Sequence, residues 1–167
     1  QQRLKQSLWF LYQLRLAKKR KLPLILHIRD ADWAAIRVLK LFRPKYGGVV
    51  HCCGEGWDVI GEYLKLGLYI GIGGILLTPA RNEKLKEAVK RIPLDRILVE
   101  TDSPYVLPYC KDVLPPKLVR RTCNSSLILP RVIAEIAALQ GKTPDEVERI
   151  TAENAIRFYG LPGAETL

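Results

Sequence analysis

Apolar residues recur along this chain at two alternating periods, the three-to-four-residue step of helices and the short continuous runs of buried strands. Over residues 3–19, Leu4, Leu8, Leu11, Leu14 and Ala17 fall on one stripe, with Lys5, Arg15, Lys18 and Lys19 elsewhere around the turn. That spacing predicts a helix burying one face. Pro23 precedes a strand-length run over 24–27, and a helix is expected over 32–42 with Asp30 or Asp32 available as its cap. The sequence then repeats itself: a strand near 49–52, a helix over 57–65, a strand over 68–72, a helix over 82–91 and a strand over 96–101. A longer loop carrying Pro104, Pro108, Pro115 and Pro116 follows. Two helices close the chain, over 127–140 and 144–159, the second announced by Thr143-Pro144.

Strands that alternate with helices of about ten residues imply βαβ units and a parallel sheet, hence the α/β class. Nothing in the composition divides residues 1–167, so a single domain is expected. Four strands suit either an open doubly wound sheet or half of an eight-stranded barrel, and the pattern leaves both open. Trp9, Trp33 and Trp57 all fall in predicted helices, where core packing explains them better than base stacking.

Composition narrows the function. No stretch approaches the roughly 20 apolar residues of a membrane span. The first residues lack the basic start and apolar run of a secretory signal, which points to the cytoplasm. Cys52, Cys53, Cys110 and Cys123 form no CxxC pair and read as reduced thiols. A net charge of +10 favours polyanionic partners. The chain holds no Met and opens on Gln1-Gln2, as a processed or partial sequence does.

Three polar residues stand at predicted strand ends: His27, His51 and Asp102. In both candidate folds that is the carboxyl edge of the sheet, where active sites gather. The intervals of 24 and 51 residues correspond to one and two βα units. The strand passed over ends in Gly71-Ile72-Gly73-Gly74, which is expected to leave open space beside the site. The chain has only two histidines, and both lie at this edge. With an aspartate they form an ordinary ligand set for zinc, manganese and related divalent ions. Residues two apart share a strand face, so Arg29 should follow His27 and Glu100 should follow Asp102. Arg29 then either meets a phosphate oxygen or pairs with Glu100. No GxSxG, phosphate-binding P-loop, HExxH or complete GxGxxG spacing occurs.

These residues sit in recognisable strings. Leu22-Pro23-Leu24-Ile25-Leu26-His27-Ile28-Arg29-Asp30-Ala31, His51-Cys52, Val99-Glu100-Thr101-Asp102-Ser103-Pro104 and the closing run from Thr151 to Tyr159 resemble motifs of the TatD family of metal-dependent deoxyribonucleases. The similarity runs along essentially the whole chain, and its most specific part is the ETDSP string. The resemblance implies a TIM-like (β/α)8 barrel of the amidohydrolase type, of which this chain supplies the C-terminal half, about four βα units. It also implies two divalent metal ions, with His27 and His51 ligating one. Asp102 would bind the other ion or the hydrolytic water, and act as general base. The implied substrate is DNA or RNA, digested from the 3′ end.

The chain departs from the family in two places. Cys53-Gly54-Glu55-Gly56 stands where the family has an aromatic, Ser or Thr, and Gly. The family's HxH pair and bridging Glu have no counterpart, and a full barrel takes about 250 residues. This chain alone is therefore expected to be a weak or inactive nuclease fragment that self-associates through exposed barrel edges and an uncovered apolar interior face. A deacylase of the amidohydrolase type and a non-catalytic nucleic-acid-binding fragment are the alternative functions.

Overall fold

Each short apolar run becomes a strand, and each amphipathic stretch a helix, in a computed structural model that describes residues 2–79, 82–106 and 124–162. The order is α1 (Gln2–Arg20), β1 (Leu24–Leu26), α2 (Asp32–Leu41), β2 (Gly48–Val50), α3 (Trp57–Lys65) and β3 (Tyr69–Ile72). It continues with α4 (Glu83–Val89), β4 (Ile97–Val99), α5 (Leu129–Gln140) and α6 (Pro144–Tyr159). Pro108, Pro115, Pro116, Cys110 and Cys123 lie outside the described residues.

The four strands pair in parallel in the order β1-β2-β3-β4. Ile25, Val49 and Tyr69 share one register row, and Gly71 lies opposite Leu98. Successive strand residues face opposite ways, so each strand serves two layers. Leu26, Val50, Ile70, Ile72 and Ile97 join the main core, together with Ile36 of α2, Ile60 of α3, Leu85 of α4 and Ile136 of α5. On the second face Val49, Tyr69 and Leu98 form a smaller buried cluster under Ala155 and Phe158 of α6. The Phe158 ring meets Tyr69 edge-on at 5.3 Å. The interior face expected to be bare is thus partly covered, while Ile25 remains 61% exposed on the edge strand.

Local signals explain how α6 is placed. Thr143 accepts a hydrogen bond from the Glu146 N–H, and Pro144 opens the helix where a missing N–H costs nothing. Gly160, at φ 62°, supplies the left-handed residue that ends it. Asn154 is wholly buried, and its Nδ2 donates to the carbonyls of Leu94 and Ile97 at 2.9 Å each. Those two bonds fasten α6 to the start of β4.

Three expectations need correction. Neither Asp30 nor Asp32 caps α2: the N-cap is Ala31, without a side-chain hydrogen bond. The Asp32 carboxylate instead accepts the hydroxyl of Tyr63 at 2.9 Å. On α1 only Leu14 of the predicted stripe is fully buried, and Leu4 and Leu8 are exposed. Trp9 and Trp33 are also exposed, so core packing holds for Trp57 alone, which is partly buried beneath the Arg91 guanidinium. The cause is position. α1 leads into an edge strand, and no described element flanks β1 on its free side. Among the described residues no helix is long and apolar enough to cross a membrane.

Candidate functional site

The ladder continues one residue beyond two of the strands. The His51 N–H donates to the Leu26 carbonyl and the Glu100 N–H to the Ile72 carbonyl, each at 3.0 Å. These bonds fix where both side chains leave the sheet. His51 then stands between two carboxylates, its Nδ1 3.0 Å from Glu100 Oε2 and its Nε2 3.1 Å from Asp102 Oδ1. Glu100 and Asp102 therefore do share a face, as their spacing predicted. The chain turns sharply at both ends of this row, with Cys52 at φ 49° and Asp102 at φ 60°. Left-handed backbone at residues other than glycine is uncommon, and it gathers at functional sites.

The β3 glycines do not leave open space. A β-carbon on Gly71 would lie 3.0 Å from the Glu100 Cδ and 3.0 Å from the Val50 carbonyl oxygen, and one on Gly73 would lie 3.1 Å from the Glu100 carbonyl oxygen. The room they free is filled by Glu100, which crosses β3 to reach His51 on the far side. No Arg29–Glu100 ion pair forms: the Arg29 side chain is 87% exposed, and the carboxylate near it belongs to Asp30, at 3.9 Å. Sequence reasoning missed the Glu100–His51 contact. Its signal was present in the pair of small residues opposite a half-buried acid.

His27 lies beside this row rather than in it. It is exposed, and its ring centroid is 5.9 Å from that of His51. Among the described residues no three His, Cys, Asp or Glu side chains stand in a ligand arrangement. His27, Arg29, His51, Cys52 and Asp102 nonetheless line one cavity of about 520 Å³, together with Asp32. The structure thus joins His51 to Asp102 and leaves His27 and Arg29 on the walls.

Burial dominates the electrostatics. It raises the Glu100 carboxyl above the ordinary range, against the lowering effect of His51. The second oxygen of Glu100, Oε1, is buried with no hydrogen-bond partner among the described residues. Burial, then the charges of Glu100 and Asp102, push the Cys52 thiol up to about 11. Burial pushes Cys53 up to about 12. Both remain protonated at neutral pH and are poor nucleophiles and ligands. Asn124 pins the loop beyond Asp102, its Nδ2 donating to the carbonyls of Thr101 at 2.5 Å and Tyr105 at 2.8 Å.

A parallel sheet with polar ligand-type residues at its carboxyl edge fits many families, and comparison with known proteins decides between them. The family model described as TatD related DNase matches residues 1–160. The chain belongs to this family. Similar TatD proteins include the 3'-5' ssDNA/RNA exonuclease TatD of Rahnella sp. (strain Y9602), 37% identical over 158 residues, and that of Erwinia amylovora, 38% identical over 150. These alignments cover 94% and 89% of this TatD-family chain, but only 59% and 56% of the relatives. The chain therefore spans a little over half the length of the curated relatives it matches. Among solved structures, the TatD homologue of Escherichia coli K12 superposes with a TM-score of 0.81 at 28% identity, over 95% of this chain and 58% of that one. An uncharacterised amidohydrolase from Saccharomyces cerevisiae shares the fold, with a TM-score of 0.75 at 20% identity.

Divalent metals are general in this family, and the residues present fit part of such a site. Glu100 at the Nδ1 of His51 orients the ring as a carboxylate partner does for a metal-binding histidine. Nε2 and Asp102 Oδ1, 3.1 Å apart, present two ligand-type atoms to the same space. A buried carboxylate oxygen lacking a donor, as Glu100 Oε1 is, carries a desolvation cost that a nearby cation offsets.

Proposed function

We propose that this chain supplies the carboxyl-edge half of the active site of a metal-dependent phosphodiesterase acting on single-stranded DNA or RNA from the 3′ end. The observation carrying this reading is the Glu100–His51–Asp102 row, set in the ETDSP string of a TatD-family chain. The substrate class follows from the exonuclease names of the relatives. In this reading His27 and His51 hold one of two divalent ions, and Asp102 serves the other or the hydrolytic water. When bound, such ions lower the pKa of water and polarise a phosphoryl oxygen. Asp102 acts as general base. Its φ of 60° aims the carboxylate away from the strand direction, toward Nε2 of His51 and the cavity. Glu100 is a positioning residue that holds the His51 ring. Arg29, exposed on the cavity wall, binds a phosphate oxygen.

The same reading makes the chain one cytoplasmic domain corresponding to the C-terminal half of a (β/α)8 barrel. The four-stranded sheet and the 58% coverage of the Escherichia coli homologue support it. With no cluster of three ligand side chains among the described residues, the isolated chain is expected to turn over weakly.

A 5′-labelled single-stranded oligonucleotide incubated with the chain and Mg²⁺, Mn²⁺ or Zn²⁺ tests this. Slow shortening from the 3′ end is expected, stopped by chelator and by Asp102→Asn. Calorimetric titration should show metal binding that His51→Ala abolishes, whatever the turnover. Cleavage indifferent to chelator or to Asp102→Asn would overturn the reading. So would hydrolysis of acylated amino acids with no cleavage of the oligonucleotide.

A further inference from the structure

A second cavity lies at the opposite end of β1. It has a volume of about 440 Å³ and is bounded by the last turns of α1 and α2, the first residue of β1 and residues 41–46. Four of its lining residues are cations, Arg15, Lys18, Arg43 and Lys45, and two are aromatic, Phe42 and Tyr46; none is acidic. Arg15 approaches the Phe42 ring at 5.9 Å, and Lys45 the Tyr46 ring at 5.6 Å.

These four cations lack the carboxylate partner that several others in this protein have. Lys40, Lys65, Lys84, Lys86, Lys90, Lys142 and Arg149 each pair with a carboxylate. Among the described residues none of the four at this cavity forms an ion pair, and Arg43 donates instead to the Lys65 carbonyl at 3.3 Å. Glu62, the acid beside Lys65, is already bonded by Lys40 and Lys65. The imbalance extends to the whole chain. Residues 1–54 hold twelve of the 27 Lys and Arg but only Asp30 and Asp32 of the 17 acids, so the net +10 resides there. The other 113 residues carry fifteen of each sign.

We infer that this cavity is a second binding site for single-stranded nucleic acid, which holds the strand away from the hydrolytic edge. It rests on the nuclease reading above, since both sites then serve one substrate. Unpaired cations interleaved with aromatic rings suit a flexible polyanion whose bases stack while its phosphates are neutralised. A compact anion would need convergent donors, and here the cations spread over the last turns of α1 and the loop after α2. The three-residue strand between the two sites spans about 10 Å, within reach of one bound strand.

The test uses the full chain in chelator, where no hydrolysis occurs, with a fluorescent oligothymidylate of about 20 nucleotides. Fluorescence anisotropy over a range of salt gives the slope of log affinity against log salt. Each lost phosphate contact lowers that slope by about 0.7, so Arg43→Gln/Lys45→Gln should lower it by about 1.4. Tyr46→Ala should weaken binding by about tenfold with no change in slope. Lys142→Gln/Arg149→Gln, a control at paired surface cations, should change neither. An unchanged slope in the Arg43/Lys45 variant overturns the proposal. So does displacement of the oligonucleotide by millimolar inorganic phosphate, or loss of binding only to phosphatidylserine vesicles. Lowered slopes together with cleavage indifferent to chelator would sink the nuclease reading and leave this site standing. Hydrolysis with unchanged slopes would sink this site alone.

Discussion

Glu100 reaches His51 only because the strand between them carries no side chain at Gly71. A methyl group there would press on the Glu100 carboxylate and on the Val50 carbonyl together, and the backbone contact cannot swing aside. Gly71→Ala is therefore expected to cost about 1–3 kcal/mol, read from urea denaturation. Gly71→Ala/Glu100→Ala should recover part of that, since one of the two clashes is removed. A neutral Gly71→Ala, or a double variant no better than the single, would mean that Glu100 does not occupy this space. His27, His51 and Asp102 were legible as polar residues at strand ends, and Glu100 as sharing a face with Asp102. Period-two alternation says which face a side chain takes, and nothing about which strand it reaches across. The Glu100–His51 pairing was hidden for that reason, and so was the absence of an Arg29–Glu100 ion pair.

At the scale of elements, α6 has the clearest sequence signals and the least expected position. Thr143, Pro144 and Gly160 mark its ends in the sequence, yet only the folded chain shows Ala155 and Phe158 lying on the second face of the sheet. Asn154 anchors that arrangement. Asn154→Ala leaves the Leu94 and Ile97 carbonyls without their donor, and should cost about 2–4 kcal/mol. Thr143→Ala, which removes one exposed cap, should cost about 1 kcal/mol. Side-by-side urea melts decide the point; a smaller loss for Asn154→Ala than for Thr143→Ala would show that α6 is held by something else. The opposite lesson comes from α1. Its leucine stripe predicted burial, but the stripe describes what a helix could cover and not whether a neighbour is there. With β1 at the sheet edge, Leu4, Leu8 and Trp9 stay exposed.

For the whole molecule, that open side is expected to set solution behaviour. β1 presents an unpaired strand edge among the described residues, and Ile25 adds apolar surface on the second face of the sheet. Sedimentation velocity should show association that grows with concentration, and Trp9→Ser/Ile25→Lys should shift the population toward monomer. One monomeric species at every concentration would contradict this.

The sequence by itself determined the alternation of strand and helix, the parallel sheet and the carboxyl-edge placement of His27, His51 and Asp102, because local periodicity and chain order are sufficient for those. Tertiary structure alone decided that Glu100 threads past Gly71 to His51, that α6 covers Val49, Tyr69 and Leu98, and that four unpaired cations gather around Phe42 and Tyr46. Each of these depends on residues far apart in the chain meeting in space, which no local pattern records.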